Sequence, residues 1–269
     1  MSGRPAHCCR FLRLAFAGLA LVLVSGGVAS PSAEEPLVAA ASDLRFALEE
    51  VAASFREEAG ASVRLTFGSS GNFARQIRQG APFQVYFSAD EYYVLGLARD
   101  GFTRDEGMLY AEGRLVLMIP HGSPVKADGS LDGLAAALSD GRVNRFAIAN
   151  PEHAPYGKRA EEALRYKGLW DRISPYLVLG ENVSQAAQFA TSANTQGGII
   201  AYSLALSPTV SGLGSYALIP EDWHEPLRQR MVLLKSAGAT AERFYGYLQQ
   251  PAARAILRKY GFALSGDAS

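Results

Sequence analysis

Cysteine is nearly absent from this sequence: only Cys8 and Cys9 occur among 269 residues. The chain after them therefore holds no thiol nucleophile, no thiolate metal site and no disulfide bond. About 235 residues can bury a core large enough to fold without disulfides, even in an oxidising compartment. Enzymes and metal proteins that depend on cysteine are excluded.

Long hydrophobic runs are also lacking after residue 33, whereas one precedes it, at residues 16–24. Arginines stand before this run and small residues follow it, and it is shorter than the roughly 20 residues that span a bilayer. The pattern is typical of a secretory signal peptide. We predict that residues 1–33 are removed on export by cleavage after Ala29 or Ala33. A protein with a single membrane anchor is the alternative.

An excess of positive charge is missing too. The chain carries 26 basic and 26 acidic residues, and the predicted signal peptide contains three of the basic ones and none of the acidic ones, which leaves a net charge of −3. Nucleic-acid-binding proteins need a basic face, so that class is excluded. An anionic ligand would have to be held by local dipoles and not by an overall positive field.

Short apolar runs alternate with amphipathic stretches along the rest of the chain. Leu44, Leu48, Val51 and Phe55, for example, follow the first run at the spacing of a helix. This alternation predicts an α/β fold of mostly parallel sheets with helices on both faces. The main runs predicted as strands are 37–41, 63–67, 85–87, 115–119, 145–149 and 198–201.

One large sheet and two smaller lobes both fit a chain of this length. The apolar runs 115–119 and 231–234 are long enough to be strands that cross from one lobe to the other. Such a pair favours two interwoven lobes joined by a hinge. Ordinary buried strands of a single sheet fit the same pattern equally well.

Residues at strand-to-helix turns are candidates for a binding site, because ligands bind beyond the carboxyl ends of parallel strands. Ser42 follows the first predicted strand and is either a plain helix cap or a ligand. The stretch 67–73 places Ser69 and Ser70 between glycines at a helix start. Free backbone N–H groups and the helix dipole attract anions there. A tight turn that needs glycine for its backbone angles is the alternative.

Two further turns lie later in the chain. The first enters a helix through two prolines, and we expect the backbone amide of Tyr156 or Gly157 to point outward there. At the second, Asn182 is the expected helix cap, which leaves the amide of Val183 free. Both turns therefore offer backbone donors.

A last polar group stands at the end of a predicted strand, where Tyr202 carries a hydroxyl. Tyrosine on a strand is more often part of the core with a satisfied hydroxyl. Together, the turns supply hydroxyls and amides with few nearby cations. Such neutral donors can hold a fully ionised oxyanion if every oxygen is paired and water is excluded.

Six stretches of the chain also carry a family resemblance. They are 38–42; 67–70 with 74–77 and 80–82; 87–90; 150–155; 198–202; and 258–262. In this order they resemble the periplasmic molybdate-binding proteins of ABC importers, which are type II periplasmic solute-binding proteins. The resemblance covers nearly the whole chain after the predicted signal peptide.

The resemblance implies a two-lobed periplasmic-binding-protein fold. Each lobe is a mostly parallel sheet flanked by helices, and two crossing hinge strands join lobe 1, residues 34–113 and 230–269, to lobe 2, residues 114–229. A tetrahedral oxyanion, molybdate and also tungstate, binds between the lobes. The ligand set falls on the hydroxyls of Ser42 and Ser70, the amides of Tyr156 and Val183, and the hydroxyl of Tyr202.

The resemblance further implies a monomeric periplasmic protein that is not an enzyme and has no cofactor. It would deliver its anion to a transmembrane permease driven by a cytoplasmic ATPase. Gln84 departs from the aspartate usual in relatives, Tyr156 is bulkier than the expected small residue, and Asp43 places a carboxylate beside Ser42. That carboxylate would repel a dianion unless it faces away.

Three other functions remain as alternatives. Sulfate has the same charge as molybdate, so only the size of the cavity separates the two anions, whereas a site of donors alone disfavours hydrogen phosphate. A metal-ion receptor would draw on Tyr92, Tyr93, Glu152 and His153. A secreted serine hydrolase would need an activated nucleophile, and the stretch 68–71 lacks the required pattern.

Overall fold

The computed structural model describes residues 35–264, so the predicted signal peptide at 1–33 lies outside the described residues. Its strands are β1 (Leu37–Ala41), β2 (Arg64–Gly68), β3 (Val85–Ser88), β4 (Met108–Gly113), β5 (Leu115–Pro120), β6 (Phe146–Ala149), β7 (Leu177–Gly180), β8 (Gly198–Ala201), β9 (Gly214–Leu218) and β10 (Leu227–Leu233).

Helices separate most of these strands. They are α1 (Arg45–Ala59), α2 (Ser70–Arg78), α3 (Glu91–Arg99), α4 (Asp132–Ser139), α5 (Pro155–Tyr166), α6 (Trp170–Ile173), α7 (Val183–Ala190), α8 (Tyr202–Ala205), α9 (Ala239–Tyr247) and α10 (Pro251–Lys259). Within residues 35–264, none of them combines the length and apolar character that a membrane span needs.

The strands form two five-stranded sheets. The first has the order β2–β1–β3–β10–β4 and the second the order β7–β6–β8–β5–β9. In the first sheet β1 is parallel to β2 and β3, whereas β10 is antiparallel to β3 and β4. The second sheet repeats this arrangement, with β6 parallel to β7 and β8, and β5 antiparallel to β8 and β9.

The α/β fold predicted from the sequence is confirmed, but the sheets are mixed and not mostly parallel. Parallel pairing is confined to the three strands of each sheet that helices connect, as crossover geometry requires. Antiparallel pairing involves β4, β5, β9 and β10. The two passages of the chain from one sheet to the other connect β4 to β5 and β9 to β10.

The chain passes from one sheet to the other twice. Only Arg114 separates β4 from β5, and residues 219–226 join β9 to β10. The runs predicted as crossing strands, 115–119 and 231–234, fall in or at the end of β5 and β10, which follow the two passages. The two sheets are thus interwoven along the chain.

Both faces of the first sheet are buried. Val38 and Ala40 of β1 pack in one hydrophobic cluster, and Ala39 between them packs in another on the opposite face. Phe87 and Tyr86 of β3 divide between the faces in the same way. Alternate residues of a strand point to opposite faces, and a sheet covered by helices on both sides therefore needs apolar residues at every position.

Candidate functional site

A small cavity lies where the parallel strands of both sheets end. Its lining comes from the ends of β1, β2 and β3 and from the starts of α5 and α7: Ala41, Ser42, Asp43, Gly68, Ser69, Ser70, Ala89, Ala154, Pro155, Tyr156 and Val183. The space that these residues enclose is small, so the cavity suits only a ligand of few atoms. Among residues 35–264, the residues that line it include no lysine, arginine or histidine.

Ser42 is buried at the end of β1 and opens a short 3-10 turn, Ser42–Leu44. It does not cap α1, because Leu44 occupies the N-cap position without a side-chain hydrogen bond. Its Oγ accepts the backbone N–H of Ser184 at 3.2 Å, and its carbonyl oxygen accepts the hydroxyl of Ser184 at 2.9 Å. Since its oxygen accepts, the hydroxyl proton of Ser42 remains to be donated.

Ser69 and Ser70 have different partners. Ser69 is the N-cap of α2, and its Oγ accepts from the amide of Asn72 at 3.4 Å and lies 3.0 Å from His153 Nδ1. Ser70 is fully buried and its Oγ accepts the amide of Ala89 at 3.0 Å. The hydroxyl proton of Ser70 remains to be donated, and its own amide lies in the first turn of α2, without a partner inside the helix. This arrangement favours Ser70 over Ser69 as a donor to a ligand.

The Tyr156 amide lies in the first turn of α5. The N-cap of this helix is Ala154, which has no side chain to accept a hydrogen bond, and its carbonyl oxygen accepts from Gly157 at 3.0 Å and Lys158 at 3.1 Å. The Tyr156 N–H lies before these donors and has no partner inside the helix. It is therefore placed at the positive end of the helix dipole.

The Val183 amide is the first of α7. Asn182 caps this helix by accepting the amide of Gln185 at 3.1 Å, and the amide of Ser184 is taken by Ser42. The Val183 N–H is thus the donor of the first turn to which these contacts supply no acceptor. Helix starts on both sheets consequently face one cavity, an arrangement that favours a negatively charged ligand.

Tyr202 is not brought to this cavity. The strand β8 ends at Ala201, as predicted, and Tyr202 opens the short helix α8. Its ring packs on Tyr216 with centroids 5.6 Å apart, and a Cβ at Gly261 would lie 2.6 Å from it. The structure therefore gives Tyr202 a packing role and does not place its hydroxyl among the cavity-lining groups.

A buried polar network underlies the cavity. Oδ2 of Asp43 accepts from Nε2 of Gln229 at 2.6 Å and from the hydroxyl of Tyr156 at 3.1 Å. Oε1 of Gln229 in turn accepts the hydroxyl of Tyr110 at 2.6 Å. Burial raises the pKa of Asp43 to about 6, although the hydrogen bonds from Gln229 and Tyr156 act to lower it. Tyr156 thus lines the cavity and also binds Asp43 through its hydroxyl, a contact that a small residue at this position could not make.

Several contacts join the two sheets around the cavity. The amide of Gly71 donates to the carbonyl oxygen of His153 at 2.9 Å, an approach that a Cβ at Gly71 would block at 2.7 Å. Arg159 of α5 donates to Asp90, the N-cap of α3, at 2.9 Å, and to Glu162 at 2.7 Å. The charge of Arg159 is therefore already neutralised by two carboxylates.

A comparison with known proteins decides the family. Residues 36–263 match the family model described as bacterial extracellular solute-binding protein. The chain belongs to this family of solute-binding proteins. The prediction that the chain is not an enzyme is thereby confirmed.

Individual relatives of this solute-binding protein agree. It is 36% identical over 246 residues to the molybdate-binding protein ModA of Rhodobacter capsulatus, covering 90% of this chain and 94% of the relative. It is 34% identical to that of Escherichia coli strain K12, covering 93% and 96%. The solved periplasmic molybdate-binding protein of Azotobacter vinelandii superposes with a TM-score of 0.78 at 31% identity, covering 86% and 99%. The predicted resemblance is confirmed.

The structure places four of the five predicted site residues of this solute-binding protein around one cavity. The sequence did not indicate the roles of Gln229 and Arg159, which carry no local motif. Gln84, predicted to affect packing, accepts the amide of Gly238 at 2.8 Å through Oε1 and so connects β3 to the start of α9. Among residues 35–264 no group of three or more histidine, cysteine, aspartate or glutamate side chains is placed to hold a metal ion.

Proposed function

We propose that this protein captures a tetrahedral oxyanion, molybdate and also tungstate, in the cavity between the two sheets. The donors are the hydroxyls of Ser42 and Ser70 and the amides of Tyr156 and Val183. The observation that carries the proposal is the convergence of these neutral donors from both sheets on one small cavity. The relatives named as molybdate-binding proteins support it.

A dianion can be held here without a counter-charge. Hydrogen bonds to a charged group are worth about 1.5–3 kcal/mol each, and first-turn amides carry the positive end of a helix dipole. The Oγ of each serine accepts a hydrogen bond from a backbone amide, so its hydroxyl proton can be donated to the anion. The protein contacts only the oxygens of the anion, never the metal atom. Tyr202 is left out of the proposed donors because of its packing on Tyr216.

The two sheets belong to two lobes in this proposal, with lobe 1 formed by 34–113 and 230–269 and lobe 2 by 114–229. The second boundary is instead placed before Leu227, because all of β10 pairs within the first sheet. Bonds such as Ser184 to Ser42 and Gly71 to His153 join residues on opposite sides of these boundaries. They form only when the lobes approach each other. Closure of the lobes and recognition of the anion are then one event.

The proposed setting is the periplasm, after removal of residues 1–33. The protein acts as a monomer and releases the anion to a transmembrane permease powered by a cytoplasmic ATPase. The membership of the chain in the extracellular solute-binding family supports this role.

Calorimetric titration of the protein without residues 1–33 tests the ligand class. Molybdate and tungstate should bind with one site per chain, sulfate more weakly because of its smaller size, and phosphate most weakly, because the four proposed donors cannot accept its proton. Equal affinities for phosphate and molybdate would contradict capture by these four donors, and no heat with any of the four anions would reject the proposed function.

A further inference from the structure

Asp43 is a buried carboxylic acid in the wall of the proposed anion site. It is 2% exposed, lines the cavity and directly follows Ser42. Its Oδ2 accepts two hydrogen bonds, whereas its Oδ1 is buried without any partner in hydrogen-bond geometry. Buried polar atoms are nearly always paired, so Oδ1 requires an explanation that the four proposed donors do not provide.

The groups facing Asp43 are uncharged. Gln229 of β10 and Tyr156 of α5 bind its carboxylate, and Tyr110 of β4 lies beyond them. From α8, the hydroxyl of Ser203 donates to the backbone carbonyl of Asp43 at 2.9 Å. Within the part of the chain that the structure describes, no cation contacts this carboxylate to offset a negative charge on it.

Charged groups on the neighbouring elements have other partners. Arg45 of α1, two residues away, is half exposed and pairs with Glu49 at 3.4 Å. From β10, Arg228 and Arg230 both pair with Glu91, each at 2.9 Å. The helix α7 contains no titratable side chain. An ionised Asp43 beside a dianion would thus place like charges together in a buried site, which disfavours the charged form of the acid.

We propose that Asp43 binds the oxyanion as a neutral carboxylic acid, with Oδ1 carrying a proton that it donates to an oxygen of the anion. This inference rests on the proposed function. Asp43 then becomes a fifth donor instead of a source of repulsion. Each binding event takes up one proton from solvent when Asp43 is ionised beforehand, and release of the anion returns it.

The inference sets a pH dependence of affinity. Burial raises the pKa of Asp43 to about 6, so the protonated fraction falls from about one half at pH 6 to about one hundredth at pH 8. The apparent dissociation constant rises as the competent fraction falls. Between pH 6 and pH 8 the affinity for molybdate should weaken by about fifty-fold, although molybdate itself remains a dianion throughout.

Asp43→Asn is a permanent mimic of the neutral acid. Its carbonyl oxygen can take the place of Oδ2 and accept from Tyr156 and Gln229, and its NH₂ group can take the place of protonated Oδ1. The variant should therefore bind molybdate at pH 8 as tightly as at pH 6. The exposed Asp171→Asn serves as the matched control and should keep the pH dependence of the unmodified protein.

The experiment is calorimetric titration with sodium molybdate at pH 6, 7 and 8, in pairs of buffers that differ in ionisation enthalpy. We expect weakening of tenfold or more from pH 6 to 8, uptake of nearly one proton at pH 8, and neither effect in Asp43→Asn. A change below tenfold in the unmodified protein overturns the inference. So does a pH dependence that persists in Asp43→Asn, since a group other than Asp43 would then be responsible. Absence of molybdate binding at every pH instead rejects the proposed function.

Discussion

Removing the buried charge of Asp43 should stabilise the folded protein at high pH. The pKa of Asp43 rises from 3.8 to about 6 on burial, so the folded protein holds its proton more tightly than the unfolded chain. The free energy of unfolding therefore falls as pH rises from about 4 to about 6, and stays low above that range. This rise in the pKa corresponds to a loss of about 3 kcal/mol in the free energy of unfolding when Asp43 is ionised.

Asp43→Asn carries no such charge, and its amide can satisfy Tyr156 and Gln229. At pH 8 it should raise the free energy of unfolding by about 3 kcal/mol, or the melting temperature by roughly 6–12 °C for a chain of this size. At pH 4 the two proteins should differ little. The assay is urea and thermal denaturation of anion-free protein at pH 4, 6 and 8, with Asp171→Asn as control. Equal or lower stability of Asp43→Asn at pH 8 would show that the buried charge of Asp43 does not destabilise the folded protein.

Three further predictions concern the other groups around the cavity. Ser70→Ala should weaken molybdate binding by about 1–3 kcal/mol in calorimetry. Ser69→Ala should mainly lower the free energy of unfolding, by about 1 kcal/mol, through loss of the α2 cap. Weaker binding in Ser69→Ala and unchanged binding in Ser70→Ala would exchange their roles. Arg159→Met should lower the free energy of unfolding by about 3 kcal/mol, because Asp90 is left buried without its partner; an unchanged urea midpoint would contradict this. X-ray scattering should show compaction when molybdate is added, and identical profiles would argue against closure of the lobes.

The parts of the site that the sequence could predict are local. A strand that ends in small residues before a helix marks Ser42, and the glycine-flanked serines mark Ser69 and Ser70. Each pattern depends on neighbours within a few residues, as helix caps and strand ends do. The alternation of apolar and amphipathic runs predicted the fold class for the same reason.

The rest depends on contacts between distant segments. Gln229 lies 186 residues from Asp43, and nothing near either residue in the sequence indicates that they bind each other. The choice between Ser69 and Ser70 likewise depends on His153 and Ala89, which other elements supply. The surroundings of Tyr202 also come from another element, because its ring packs on Tyr216.

A crystal structure of the molybdate complex would show the position of the anion, because molybdenum can be located by its anomalous scattering. We expect one anomalous peak in the cavity, with oxygens of the anion within hydrogen-bond distance of Ser42 Oγ, Ser70 Oγ and the amides of Tyr156 and Val183. A peak outside this cavity, or an anion held by a lysine or arginine side chain, would contradict capture by neutral donors from both sheets.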